Sequence, residues 1–209
     1  LTETLPFYKG GVSNRNEMMQ LAIAWGYRHH MIIKRTFFEG IEFFKGETLK
    51  ETDTTKMILS WSDHVAYNYK NELAPFDQLH TLTQANGLHW INHHLHNGGN
   101  SNGHRTEENA AAGFNRVVID VDGTTTIDNV KELLKDYTFQ IYTTKSHTEQ
   151  EHHFRLIMPI RYVLELDSDE FKEFMSNVFS WLPFEVDTQT GQRARKWSTF
   201  NGGQHIINQ

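Results

Sequence analysis

The stretch Val117-Val118-Ile119-Asp120-Val121-Asp122-Gly123 decides how this chain is read. Four of the five residues at 117–121 are β-branched and apolar, the signature of a buried strand. Side chains alternate along a strand, so Asp120 and Asp122 share one face at its carboxyl end. Two carboxylates at that spacing repel each other and are costly unless a cation lies between them. A divalent metal answers that need; Mg²⁺ typically sits on one or two carboxylates together with substrate phosphates. The competing reading is a solvated strand end running into a turn, which Asp and Gly also favour.

Outward from this strand the pattern is regular. A short helix is expected over 127–136, then a strand over 139–144 that ends in Thr143-Thr144-Lys145-Ser146-His147. The strand expected over 154–160 follows too soon for a crossover and reads as the return of an antiparallel hairpin. Residues 168–181 put Phe171, Phe174, Met175 and Val178 on one helical face. Residues 182–186 lead into Asp187, and 196–200 reads as a last strand. This β-α-β-β-α-β order is that of a ferredoxin-like sheet with helices on one face, an α+β fold.

Upstream, 14–25 reads as a helix capped by Ser13 or Asn14, with Met18, Leu21, Ala22 and Trp25 at helical spacing. Strands are expected at 31–38 and 41–44 around a Glu39-Gly40 turn. Residues 56–84 read as mostly helical through Trp61, Val65 and Leu79, with Pro75 breaking the run into two helices. The Gly/Asn-rich 98–103 is a loop. The expected division is an N-terminal α/β lobe, 1–112, packed on a catalytic lobe, 113–209.

Three segments then converge: Asp120 with Asp122, Lys145-Ser146-His147 with Arg155, and Asp187. A third carboxylate from a distant strand end suits a site for two metal ions, roughly 3.5–4 Å apart, that clamp attacking and leaving oxygens. Lys, Ser, His and Arg would donate to phosphate oxygens. Asp187 also fits a plain turn residue in Asp-Thr-Gln-Thr-Gly.

The ordered set Asp120-x-Asp122-Gly, Tyr142 to Thr148, Phe154-Arg-Leu-Ile-Met-Pro159 and Glu185-Val-Asp187 with Arg193 and Arg195 resembles the archaeo-eukaryotic primase superfamily. The likeness covers roughly residues 105–200 and is nearest to primase-polymerase domains of phages and plasmids. It implies an RRM-like catalytic sheet with Asp120, Asp122 and Asp187 on two Mg²⁺ or Mn²⁺ ions. Lys145, Ser146, His147 and Arg195 correspond to contacts with the incoming triphosphate. The family's middle motif carries Ser-x-His on the strand, where this chain has His153-Phe154-Arg155. Either His147 acts from the loop or Arg155 takes the histidine's role. Arg105, Arg193, Lys196 and Trp197 are weaker candidates for nucleic-acid contact; for Arg105 a solvated loop position is the favoured reading. The resemblance further implies a single-stranded DNA template, NTP or dNTP substrates and a replicative helicase fused or associated.

Composition bounds these readings. A net charge of −6 with 13 neutral His argues against a broad non-specific nucleic-acid surface. From Thr188 onward, however, the chain carries Arg193, Arg195 and Lys196 and no acid, so a local basic patch is open. Without Cys there is no disulfide framework and no thiolate metal site. No apolar run approaches a membrane span and no signal-peptide pattern opens the chain, so no membrane partner and a cytoplasmic setting (of a host cell, if phage-encoded) are expected. The chain opens on Leu1, as a piece of a longer protein would.

Two rival functions remain. Asp120-Val-Asp122-Gly-Thr124 also fits the first motif of haloacid dehalogenase-like phosphohydrolases, in which the first Asp is a nucleophile. Against it stand the early strand return and the lack of a later Gly-Asp-x-x-x-Asp pair. A non-catalytic single-strand-binding module is the other, which three carboxylates would disfavour by repelling phosphate. His89, His93, His94, His96 and His104 lack a zinc-ligand pattern and read as surface or loop histidines. The five tryptophans read as core or partly buried packing, Trp197 being the one with basic neighbours.

Overall fold

The computed structural model describes residues 50–98 and 103–208 and, near the N-terminus, the backbone of two strands. The chain divides into two compact units, Leu1–Lys50 and Glu51–Gln209. In the first, β1 (Ile32–Arg35) and β2 (Ile41–Phe44) pair antiparallel, with Ile33 opposite Phe43. Both fall within the strands expected at 31–38 and 41–44; the expected Glu39-Gly40 turn lies outside the described residues. The helix expected at 14–25 and the loop centre at 99–102 lie outside the described residues.

The second unit is α+β, with two antiparallel four-stranded sheets. One has the order β4-β3-β5-β9, from β3 (Met57–Ser62), β4 (Lys70–Ala74), β5 (His89–Ile91) and β9 (Trp197–Ser198). The other runs β10-β7-β8-β6, from β6 (Gly113–Asp122), β7 (Phe139–Thr143), β8 (His153–Glu165) and β10 (His205–Asn208). Three helices join them: α1 (Leu79–Thr83), α2 (Ile127–Leu133) and α3 (Ser168–Trp181). The α3 N-terminus is closed by a capping box between Asp167 and Glu170, and a cap of this type is worth about 1 kcal/mol.

The mostly helical reading of 56–84 is overturned. Residues 57–62 form a strand instead, paired antiparallel with Lys70–Ala74 on one side and His89–Ile91 on the other, and it is buried on both faces at Leu59 and Ser60. Val65, which completed the apparent helical spacing, is 46% exposed in the turn between β3 and β4. Asn68 turns the chain there with φ 63°, a left-handed conformation that Asn tolerates better than most residues. Pro75 precedes a 3₁₀ turn at Phe76–Gln78 and α1 instead of splitting two helices.

The last strand is also corrected. Trp197–Ser198 joins β5 in the other sheet, with Trp197 opposite Trp90. The strand that completes the β6 sheet is β10, paired to β7 with Ile206 opposite Ile141. A ferredoxin-like sheet keeps its first strand inside, between the third and fourth; here β6 lies at an edge. For the same reason the expected boundary at 112/113 falls inside the second unit, because β9 returns across it.

The two sheets share one core. Met57, Leu59, Phe76, Leu79, Trp90 and Trp197 meet Val118, Tyr142 and Ile157. Val118 has the same strand parity as Asp120, so the carboxylate face of β6 is the face turned toward the other sheet. A register shift between Phe114 and Arg116 leaves Asn115 to tie the layers. Its Oδ1 accepts from the Ile58 N–H at 3.0 Å, and its Nδ2 donates to Lys56 O at 3.0 Å.

Arg116 is fully buried in this core, its guanidinium 5.3 Å above the Trp90 ring. Nε, Nη1 and Nη2 all lack an acceptor among the described residues. Burial pushes its pKa down to about 9, so the charge persists at neutral pH. Arg116→Met keeps the stem packing and removes the uncompensated charge, so it is expected to stabilise the fold by about 1–4 kcal/mol. A raised urea midpoint checks this; a lowered one would show that the guanidinium has a partner.

Candidate metal centre

Asp120, Asp122 and Asp187 each offer a carboxylate oxygen within 4.8 Å of the others. Asp120 and Asp122 come from the last turn of the pleat of β6. Asp187 arrives after α3, where the chain runs beside the edge of β6 that pairs with no other strand and donates its N–H to Asp120 O at 3.1 Å. The Thr124 hydroxyl fastens the same segment through Glu185 O at 2.5 Å. Asp187 thus lies beside the strand that a ferredoxin-like fourth strand would have covered. It also caps the 3₁₀ turn Thr188–Thr190, its Oδ1 accepting from the Gln189 N–H at 2.9 Å. The turn reading of Asp187 is realised, and the same residue joins Asp120 and Asp122 in one carboxylate cluster.

Each carboxylate is held from behind by one nitrogen-bearing side chain. Arg155 Nε lies 3.4 Å from Asp120 Oδ1, an ion pair short of hydrogen-bond geometry. His153 Nδ1 is 3.1 Å from Asp122 Oδ1, and Arg195 Nη2 is 3.5 Å from Asp187 Oδ2. The pairing follows from strand register, since Asp120 faces Arg155 and Asp122 faces His153 across β6 and β8. Outer partners of this kind orient carboxylates while leaving further oxygens for a ligand. The second oxygens of Asp120 and Asp122 have no protein partner among the described residues.

The electrostatics agree with a cation site. Asp120 is 7% exposed, and its pKa is raised. Burial is the main cause; Arg155 opposes it, and the charges of Asp122 and Asp187 add to it. An all-oxygen, carboxylate-rich set suits a hard cation and not a thiophilic ion.

The other expected residues divide. Arg155 is largely enclosed: Nη1 donates to Tyr142 Oη at 3.1 Å and Ser198 O at 2.8 Å, and its guanidinium lies over Trp197 at 5.2 Å. Its pKa is raised: burial lowers it, but Tyr142 and Asp120 outweigh that. His147 is joined to the centre indirectly, its Nδ1 accepting the His153 N–H at 3.2 Å. Burial, then His152 and His153, hold its pKa down. Lys145 and Ser146 are exposed in the turn after β7, and Ser146 Oγ lies 3.0 Å from Thr144 Oγ1.

Among the weaker nucleic-acid candidates, two are engaged within the protein. Trp197 is 2% exposed and packs in the core, so its face is closed to a base. Arg193 is tied to Glu107, with Nε 3.0 Å from Oε1, and to Leu166 O. Arg105 is not a free loop side chain: its Nε and Nη1 reach Val65 O and Ala194 O. The surface reading of His93 also fails, since it is fully buried between Phe114 and Phe171. Trp181 is 47% exposed, against the expected packing.

Sequence reasoning missed His153 as a partner of Asp122, together with Tyr142 and Ser198 as holders of Arg155. The signal was present in His153-x-Arg155, two side chains on one strand face opposite Asp122 and Asp120. Family models, curated proteins and solved structures give no significant match to the chain.

Proposed function

We propose that this chain is a templated nucleotidyltransferase, the catalytic domain of a primase-polymerase that makes or extends primers on single-stranded DNA. The observation that carries this reading is the meeting of three carboxylates from two separate segments, within 4.8 Å, at the carboxyl end of β6. Asp120, Asp122 and Asp187 would hold Mg²⁺ or Mn²⁺, which when bound activates a hydroxyl and neutralises phosphate charge. Arg155 and His153 fix the Asp120 and Asp122 carboxylates. Arg195, one-third exposed at its side chain, exchanges part of its hold on Asp187 for a phosphate oxygen of the incoming nucleotide. Lys145, Ser146 and His147 stand at the β7–β8 hairpin end, beside His153, and take the outer phosphates. Positioning and charge neutralisation then carry the rate, with no covalent intermediate on the protein. The reading brings with it NTP or dNTP as donor, a cytoplasmic setting and a replicative helicase as associate.

The dehalogenase-like phosphohydrolase is less well supported. Every neighbour in the β6 sheet is antiparallel, whereas that chemistry is built on a parallel sheet. Either Thr143 or Thr144 could serve as that family's second motif; Thr143 is buried and its Oγ1 accepts the Gln204 N–H at 2.8 Å, while the half-buried Thr144 has its Oγ1 3.0 Å from Ser146 Oγ.

Incubation with single-stranded DNA, labelled nucleotides and Mg²⁺ or Mn²⁺ separates the two. Incorporated label supports nucleotidyl transfer; phosphate release from small phosphomonoesters with no incorporation would overturn it. Within the same assay, Arg195→Ala is expected to raise the nucleotide KM about tenfold or more, the scale of one charge-assisted hydrogen bond of about 1.5–3 kcal/mol. Template affinity should change far less. An unchanged KM removes Arg195 from the phosphate site.

A further inference from the structure

The turn between β3 and β4 is built more firmly than a connection requires. Ser62 Oγ donates to Tyr67 O at 2.6 Å and accepts the His64 N–H at 2.9 Å. His64 Nδ1 in turn accepts the N–H groups of Ala66 and Tyr67, at 3.1 and 3.0 Å. A second strand of chain is laced onto this turn, with Arg105 N–H donating to Ala66 O at 2.8 Å and Tyr69 N–H to Gly103 O at 3.2 Å. Gly103 is required there, since a Cβ would lie 2.4 Å from Tyr69 O. The lacing brings the rings of Tyr67 and His104 face to face, centroids 4.5 Å apart and 21° from parallel. Tyr67 is nonetheless 42% exposed.

A line of cations leads from this pair to the carboxylates. Arg105 reaches Ala194 O at 2.6 Å, which brings it to the segment holding Arg195 and Lys196. Lys196 pairs with no carboxylate among the described residues; burial and the charges of Arg105, Arg155 and Arg195 hold its pKa down. Arg195 ends the line at Asp187. Segments 62–70, 103–106 and 194–200 carry a single acid, Asp63, on a chain of net charge −6. A rigid, half-exposed aromatic pair beside a run of cations, of which Lys196 has no carboxylate partner among the described residues, is what a single strand needs, with bases stacking on rings and phosphates tracking charge.

We propose that Tyr67 and His104 form a base-stacking platform for single-stranded nucleic acid, whose backbone follows Arg105 and Lys196 toward Asp120, Asp122 and Asp187. This rests on the nucleotidyltransferase reading for its direction but not for its existence. The fixed turn means the platform is pre-ordered, so little conformational entropy is lost on binding.

Anisotropy of a labelled short oligothymidylate, with no divalent ion and no nucleotide, tests it. Tyr67→Ala is expected to weaken binding about tenfold, within the range for one stacked base. Tyr67→Phe keeps the ring and should retain most of the affinity, whereas Tyr67→Leu, which fills the position without a π-face, should bind as weakly as Tyr67→Ala. Lys196→Gln should lower the salt dependence by about 0.7 in log–log slope, one phosphate contact on a single strand. Full-strength binding by Tyr67→Ala overturns the platform, whether or not the protein polymerises. So does a wild type that ignores the oligonucleotide but captures an acidic peptide. Tyr67-dependent binding by a wild type that incorporates no nucleotide keeps the platform and sinks the catalytic reading instead.

Discussion

Asp120→Asn is expected to reduce nucleotide incorporation by about a thousandfold or more, at the upper end of the 10²–10³ lost with one preorganised transition-state group. The melting temperature should stay level or rise. The reason lies in the sign of the Asp120 shift. Its pKa in the fold is raised above the ordinary 3.8, mainly by burial, so the ionised side chain is worse off folded than unfolded. That penalty is fully present at neutral pH and is relieved as pH falls through the raised value. Asparagine removes the charge and keeps the shape. The comparison that matters is therefore activity against a thermal melt on the same sample. Activity lost with a melt that also collapses would make Asp120 a structural residue, and activity retained would remove it from the centre.

The largest stability effect is expected at His93. Its ring is wholly buried between Phe114 at 5.3 Å and Phe171 at 4.9 Å. Burial, with Arg193 adding to it, pushes its pKa down to about 3 from 6.5. The unfolded chain therefore binds a proton that the native chain refuses throughout pH 3 to 6.5. Stability is fully present above 6.5 and is lost as pH falls across that window, by about 1.4 kcal/mol per unit and on the order of 4–5 kcal/mol in all. His93→Leu, which cannot take the proton, should lose about 2 kcal/mol less than wild type between pH 7.5 and pH 5. Urea denaturation at the two pH values reads the difference directly. Parallel loss in both proteins would mean that His93 is hydrated or paired in solution.

The two cases show where sequence could and could not be read. The Asp120-Val-Asp122 face was legible because a period of two is fixed by backbone geometry alone. Helix α3 was legible for a similar reason, with Phe171, Phe174, Met175 and Val178 recurring at helical spacing. The segment 56–84 was not, because Trp61, Val65 and Leu79 are compatible with two periods and only tertiary pairing of β3 with β4 and β5 chooses between them. The placement of β9 and β10 was equally hidden. Trp197 could have continued the β6 sheet, but its ring is buried against Trp90 at 6.4 Å instead. His153 was missed because its role depends on register, and a shift of one residue would have turned it away from Asp122. The turn that presents Tyr67 was misread with the helix that was assigned over it.

The most direct measurement is the sequence of the product made on two single-stranded DNA templates that differ at one base, with Mg²⁺ or Mn²⁺ and all nucleotides supplied. A site that transfers nucleotides under template direction makes products that differ at the complementary position, and makes neither with Asp120→Asn. Identical products from both templates, or none from the wild type, would contradict it.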